Sequence, residues 1–116
     1  MCIFCKIAAG EIPCTKIYED EYTLAFADIA PINPGHTLVI TKNHYQQFLA
    51  LPEELACRLI IAVSAVSEIL AKEFQPDGFN IMTNVNEAAG QSVTHCHFHI
   101  IPRYWNDGKK TMLDNQ

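Results

Sequence analysis

The stretch Val93-Thr94-His95-Cys96-His97-Phe98-His99-Ile100-Ile101-Pro102 alternates imidazoles with apolar side chains. That alternation predicts a strand over residues 93–102. Residues two apart on a strand share a face, so His95, His97 and His99 point one way. Cys96, Phe98 and Ile100 then point the other way, into a core. Successive histidines sit about 6.6 Å apart and the outer two about 13 Å apart. A metal bound at about 2 Å per ligand cannot gather all three. A row of imidazoles suits an elongated anion better, such as a phosphate and its leaving group. A neutral imidazole can attack phosphorus and form a covalent intermediate, and a protonated one can donate.

Outward from this strand, residues 15–19 and 22–28 are rich in β-branched and aromatic residues and predict two strands joined tightly at Asp20-Glu21. Asp28-Ile29-Ala30-Pro31-Ile32-Asn33-Pro34-Gly35 is a turn-rich loop, and residues 36–40 form a largely buried strand beyond it. The long helix opens at Pro52, with Glu53 and Glu54 at its positive end, and runs to Phe74. Leu55, Leu59, Ala62, Val66 and Ile69 recur at helical spacing. Ile60, Ile61, Val63 and Leu70 widen the apolar surface, which is the pattern of a helix buried on two sides. One side covers the sheet; the other meets either a second subunit or further core. Gln75-Pro76-Asp77-Gly78 breaks the helix, and residues 79–85 predict another strand. Residues 86–91 form a loop pivoting on Gly90, and residues 2–9 a short helical segment ending near Gly10. The class expected is α+β, an antiparallel sheet with helices packed on one face, in a single domain spanning residues 1–116.

The 116 residues suit one modest core, and half of them are apolar. Eight basic against 13 acidic side chains give a formal charge of −5, which argues against tight binding to a nucleic acid polymer. No apolar run approaches the roughly 18 residues of a membrane span, and the start has no secretion-signal pattern. Five cysteines, an odd number, fit a reducing cytoplasm better than a disulfide framework.

The run Gly90-Gln91-Ser92-Val93-Thr94-His95-Cys96-His97-Phe98-His99-Ile100-Ile101 resembles the signature of the histidine triad family, in which three histidines alternate with apolar residues. Similar segments follow in order: Ile3-Phe4-Cys5-Lys6-Ile7, Ala25-Phe26-Ala27-Asp28-Ile29, Pro34-Gly35-His36-Thr37-Leu38-Val39-Ile40 and Gly78-Phe79-Asn80. The resemblance covers nearly the whole chain. It implies a homodimeric hydrolase or transferase acting at the α-phosphate of a purine nucleotide, with His97 as the nucleophile. It implies that His99, His36 and Ser92 contact the phosphate and bridging atom, and that Asp28 binds ribose hydroxyls. Phe4, Ile7 and Ile29 would wall the base, and Asn84 and Gln91 would bind nucleotide or phosphate. Asn84 is similar to the nucleoside phosphoramidase branch, whereas Ile101-Pro102-Arg103 is also seen in the dinucleoside polyphosphate hydrolases. From the residues alone, Asp28, His36, Asn84 and Ser92 read equally as turn and loop residues, and Phe4, Ile7 and Ile29 as core.

Cys2-Ile3-Phe4-Cys5 is a Cys-x-x-Cys pair. The set Cys2, Cys5, His44 and His95 resembles a structural zinc site found in part of the family, the alternative being two reduced thiols and two unrelated histidines. A redox motif fits poorly, since no βαβ order surrounds it. Cys57 and Cys96 read as small apolar fillers. No catalytic metal or organic cofactor is expected. With Arg103 the nearest cation, partly protonated histidines and loop N–H groups would carry the phosphate charge. Residues 105–116 are polar and carry no usable pattern.

Overall fold

A computed structural model describes residues 2–109. The chain runs α1 (Ile3–Ala8), β1 (Lys16–Glu19), β2 (Thr23–Ala27), β3 (Thr37–Thr41), α2 (Glu53–Phe74), β4 (Gly78–Met82) and β5 (His97–Arg103). The five strands make one antiparallel sheet in the order β1-β2-β3-β5-β4, so the α+β expectation holds. The histidine strand thus lies inside the sheet, between β3 and the edge strand β4.

α2 starts after Pro52 and carries Glu53 and Glu54 in its first turn and Lys72 in its last, each complementing the helix dipole. It stops where Gln75 turns left-handed and its N–H caps Ala71, just before Pro76. Its buried stripe is Leu59, Ala62, Val63, Val66 and Leu70. The stripe ends on Leu70 rather than Ile69, which is 38% exposed. These residues pack on Ala25, Val39, Cys96, Phe98 and Ile100 across one face of the sheet. Burying each large aliphatic side chain there is worth about 1.5–3 kcal/mol.

The opposite face holds Leu24, Phe26, Leu38 and Ile40. α1 lies here, inserting Phe4 among them, so the two helices take opposite faces of the sheet rather than one. The reason is compositional. Alternate residues on β2 and β3 are apolar on both faces, so each face needs a cover.

β5 starts at His97, four residues later than the alternation predicts. The Cys96 N–H donates to the Tyr45 carbonyl at 2.7 Å, and the His95 N–H to Val93 at 2.9 Å, so neither joins the ladder. The first registered pair is Ile40 with His97. β4 is also shorter than residues 79–85. Past Met82 the Thr83 hydroxyl donates to the His97 carbonyl at 2.7 Å, a side chain taking an acceptor that a ladder N–H would otherwise use. Of the polar tail, residues 110–116 lie outside the described residues. Residues 103–109 fold into a turn around Asp107.

Candidate active site and metal cluster

His97 is buried, and its Nδ1 lies 2.7 Å from the His95 carbonyl. A carbonyl only accepts, so Nδ1 carries the proton and Nε2 holds the lone pair. That is the protonation a nucleophile needs, and the carbonyl also faces the positive charge an attacking imidazole develops. The Phe4 ring packs edge-on against His97, with centroids 5.1 Å apart, and limits its rotation.

His36 and His99 form a second fixed pair. The Ile32 N–H donates to His36 Nδ1 at 3.1 Å, so the His36 proton sits on Nε2 and donates to His99 Nδ1 at 3.0 Å. His99 is left with its own proton on Nε2, an N–H donor. The His97 and His99 ring centroids are 5.0 Å apart. Asp28 Oδ2 lies 3.5 Å from His36 Nε2, and the Asp28 N–H donates to the His36 carbonyl at 3.0 Å, closing the loop between them. Sequence and structure thus bring His36, His97, His99 and Asp28 together.

Burial pushes the pKa values of His36, His97 and His99 below the usual imidazole range. His99 is pushed furthest, to about 4, by burial and then by His97 and His36, against Asp28. The expected partly protonated histidines are therefore neutral at pH 7, and neutral N–H groups are the donors here. Arg103 is committed elsewhere: it donates to Asp107, Asn80 and the Lys109 carbonyl.

The remaining residues fall into two groups. Asn84 is half-buried, and its Nδ2 lies beside Gly90 without a hydrogen bond among the described residues. Ser92 is exposed in the loop before His95. Gln91 instead braces that loop: its amide donates to Gln46 and Val93 carbonyls and accepts from the Asn86 N–H. Phe4 is buried, Ile7 half-buried beside it, and Ile29 98% exposed on the Asp28 loop. The sequence offered no sign of Thr83, Tyr45 or Ile32, because backbone groups or a lone hydroxyl act at those positions.

Cys2, Cys5, His44 and His95 converge, with one ligand atom from each lying within 4.8 Å of the others. Sγ of Cys2 lies 3.2 Å from His95 Nδ1, and Sγ of Cys5 lies 3.4 Å from His44 Nδ1 and 3.6 Å from His95 Nδ1. Tetrahedral zinc at about 2.3 Å to sulfur and 2.0–2.1 Å to nitrogen places such atoms roughly 3.5 Å apart. The Nε2–H of His95 donates to the Thr41 carbonyl at 2.7 Å, which leaves the Nδ1 lone pair for the metal. The donor set therefore fits zinc. Asp28, His36 and His99 also lie within that span of one another. They fit a metal poorly: ligation through His36 Nε2 would move its proton onto Nδ1, against the Ile32 N–H.

An antiparallel sheet carrying a strand of alternating histidines, backed by a buried third imidazole and a carboxylate, defines a histidine triad protein. The chain belongs to that family: the HIT domain model matches residues 9–106. A HIT-like protein of Methanocaldococcus jannaschii is 53% identical over 109 residues, 94% of this chain and 84% of the relative. The adenosine 5′-monophosphoramidase of Schizosaccharomyces pombe is 42% identical over 102 residues, 88% of this chain and 74% of the relative. The crystal structure of a HIT family protein from Bacillus subtilis superposes with a TM-score of 0.92 at 47% identity, over 99% of this chain and 82% of that one.

Proposed function

We propose that this chain is a nucleotide hydrolase that cleaves at the α-phosphate of adenosine or guanosine phosphoramidates through a nucleotidyl-His97 intermediate. The observation that carries the reading is the fixed tautomer of His97, Nδ1–H on the His95 carbonyl and Nε2 free beside His99. The name of the fission-yeast relative supports the substrate class.

In the first step His97 Nε2 bonds to the α-phosphorus and the bond from phosphorus to the leaving amine breaks. The leaving nitrogen takes up a proton from solvent water, and the neutral His99 Nε2–H hydrogen-bonds to the reacting group without giving up its proton. Water then attacks phosphorus, the Nε2–P bond breaks with its electron pair returning to His97 Nε2, one water proton passes to solvent to balance the one the amine took up, and nucleoside monophosphate departs. Neutral donors from His99, with Ser92 and Asn84, meet the charge on the phosphoryl oxygens. Asp28 takes the ribose hydroxyls, and Phe4, Ile7 and Ile29 line the base. Gln91 acts on the nucleotide through the loop it braces.

Cys2, Cys5, His44 and His95 would hold a structural zinc, which when bound would tie α1 to the start of β5. The five free thiols suit a reducing cytoplasm. A homodimer is supported by β4, an edge strand among the described residues where Ile81 is 49% exposed, and by the exposed Ile60 of α2, which lines one groove with Phe79 and Ile81.

The test is turnover of an adenosine phosphoramidate and of diadenosine polyphosphates, with mass spectrometry of His97. Amine release with AMP on His97 supports the reading. Preference for the dinucleotides moves the substrate and keeps the mechanism. AMP binding without turnover of either replaces the enzyme with a nucleotide-binding module.

A further inference from the structure

The loop that carries Asp28 and His36 is held from an unexpected direction. Asn33, in the middle of that loop, is buried at 6% exposure. Its Nδ2 donates to the Pro102 carbonyl near the end of β5 and to Asp107 Oδ2, both at 2.9 Å. Its own carbonyl accepts the His36 N–H at 3.1 Å. Asp107 is in turn fixed by the Arg103 fork at 2.9 and 3.1 Å and by the N–H groups of Tyr104 and Lys109. The Tyr104 hydroxyl donates to the Pro34 carbonyl at 2.9 Å, one residue further along the same loop. Gly35 next to it is closed in, since a Cβ there would lie 2.9 Å from both Phe74 and Pro102.

We propose that Asn33 and Asp107 form a latch by which the turn after the triad strand positions His36 and Asp28 for nucleotide. The chemistry of the latch is specific. A buried amide needs partners, and here the partners are one strand carbonyl and one carboxylate whose other lone pairs are already used. The Asn33 carbonyl and the Ile32 N–H flank His36 on its two sides, one on its backbone and one on its ring. Releasing Asn33 therefore frees the segment that sets the His36 tautomer, and with it the donor aimed at His99. Asn33 and Asp107 touch no reacting atom and are positioning residues.

The inference rests on the nucleotide reading of the site, but its first readout does not. Nitrogen-15 NMR of the full chain reports the His36 tautomer with no ligand present. The wild type is expected to show His36 as the Nε2–H form, and Asn33→Ala as a mixture of both forms. AMP affinity by calorimetry is expected to fall about tenfold in Asn33→Ala and in Asp107→Asn, with the double variant no worse than either. Tyr104→Phe, which keeps the buried amide, is expected to lose less and serves if Asn33→Ala does not fold. An unchanged His36 tautomer, or losses in affinity that add, would overturn the latch even if melting temperature drops. A shifted tautomer in a chain whose wild type binds no AMP would keep the latch and overturn the nucleotide reading.

Discussion

His95 and His97 stand two residues apart and do opposite things with the same ring. His95 gives its Nε2–H to the Thr41 carbonyl and turns Nδ1 toward two thiols. His97 gives its Nδ1–H to the His95 carbonyl, and its Nε2 has no hydrogen-bond partner among the described residues. One ring is shaped as a metal ligand and the other as a nucleophile, and in each case a backbone carbonyl decides which. The difference comes from where the ladder begins. His97 is the first residue paired with β3, while His95 lies before it in a bend and can reach α1. The roles of the two rings thus diverge where a bend passes into a strand, through main-chain partners rather than side-chain type.

The strongest way to break the comparison is to remove one ring of each kind. His97→Ala should lower turnover of an adenosine phosphoramidate at least about a thousandfold, since no neighbour replaces the nucleophile. Metal content, read by atomic emission, should not change. Cys5→Ser should do the reverse: it should abolish stoichiometric zinc and the thiolate charge-transfer band of the cobalt-loaded chain. Its cost in stability should be several kcal/mol at saturating zinc, with turnover reduced only through the looser Phe4 beside His97. If both variants lost zinc and turnover alike, the two rings would not be independent.

A smaller effect sharpens the comparison. Thr83→Val removes the hydroxyl that holds the His97 carbonyl. About 1 kcal/mol of stability should go, measured by urea unfolding, with a few-fold fall in kcat and no change in zinc.

Much of this was legible in the residues. The alternation from His97 to His99, the Pro52 start of α2 and its break at residues 75–78, and the turn-rich loop before His36 each encode local geometry, and His36, His97, His99 and Asp28 lie together. What was not legible depends on main-chain partners far apart in sequence. Nothing in Val93-Thr94-His95 announces that the ladder waits for His97, because the Tyr45 carbonyl that diverts Cys96 lies in another loop. Likewise the neutrality of His99 follows from burial, which charge counting cannot see. Asn33 reads as one more turn residue until Asp107 is placed against it.

The smallest expected effect is on pH dependence, and it separates the two clusters thermodynamically. His36 and His99 are held below the ordinary imidazole pKa, His99 at about 4. His99 faces His97 and His36, which push it down further, and Asp28, which opposes them. Well above pH 6.5 both imidazoles are neutral in the folded and unfolded chain and contribute nothing to the slope. Between 6.5 and about 4 the unfolded chain takes up protons that the folded chain refuses, so stability falls as pH falls. His99→Gln removes one of these groups and leaves Cys2, Cys5, His44 and His95 in place. Urea midpoints at pH 7 and pH 5 should therefore draw closer together in the variant than in the wild type. An equal drop in both proteins would show that His99 adds nothing to the acid sensitivity and leave it to the remaining groups, among them the Cys/His cluster, where protons compete with metal.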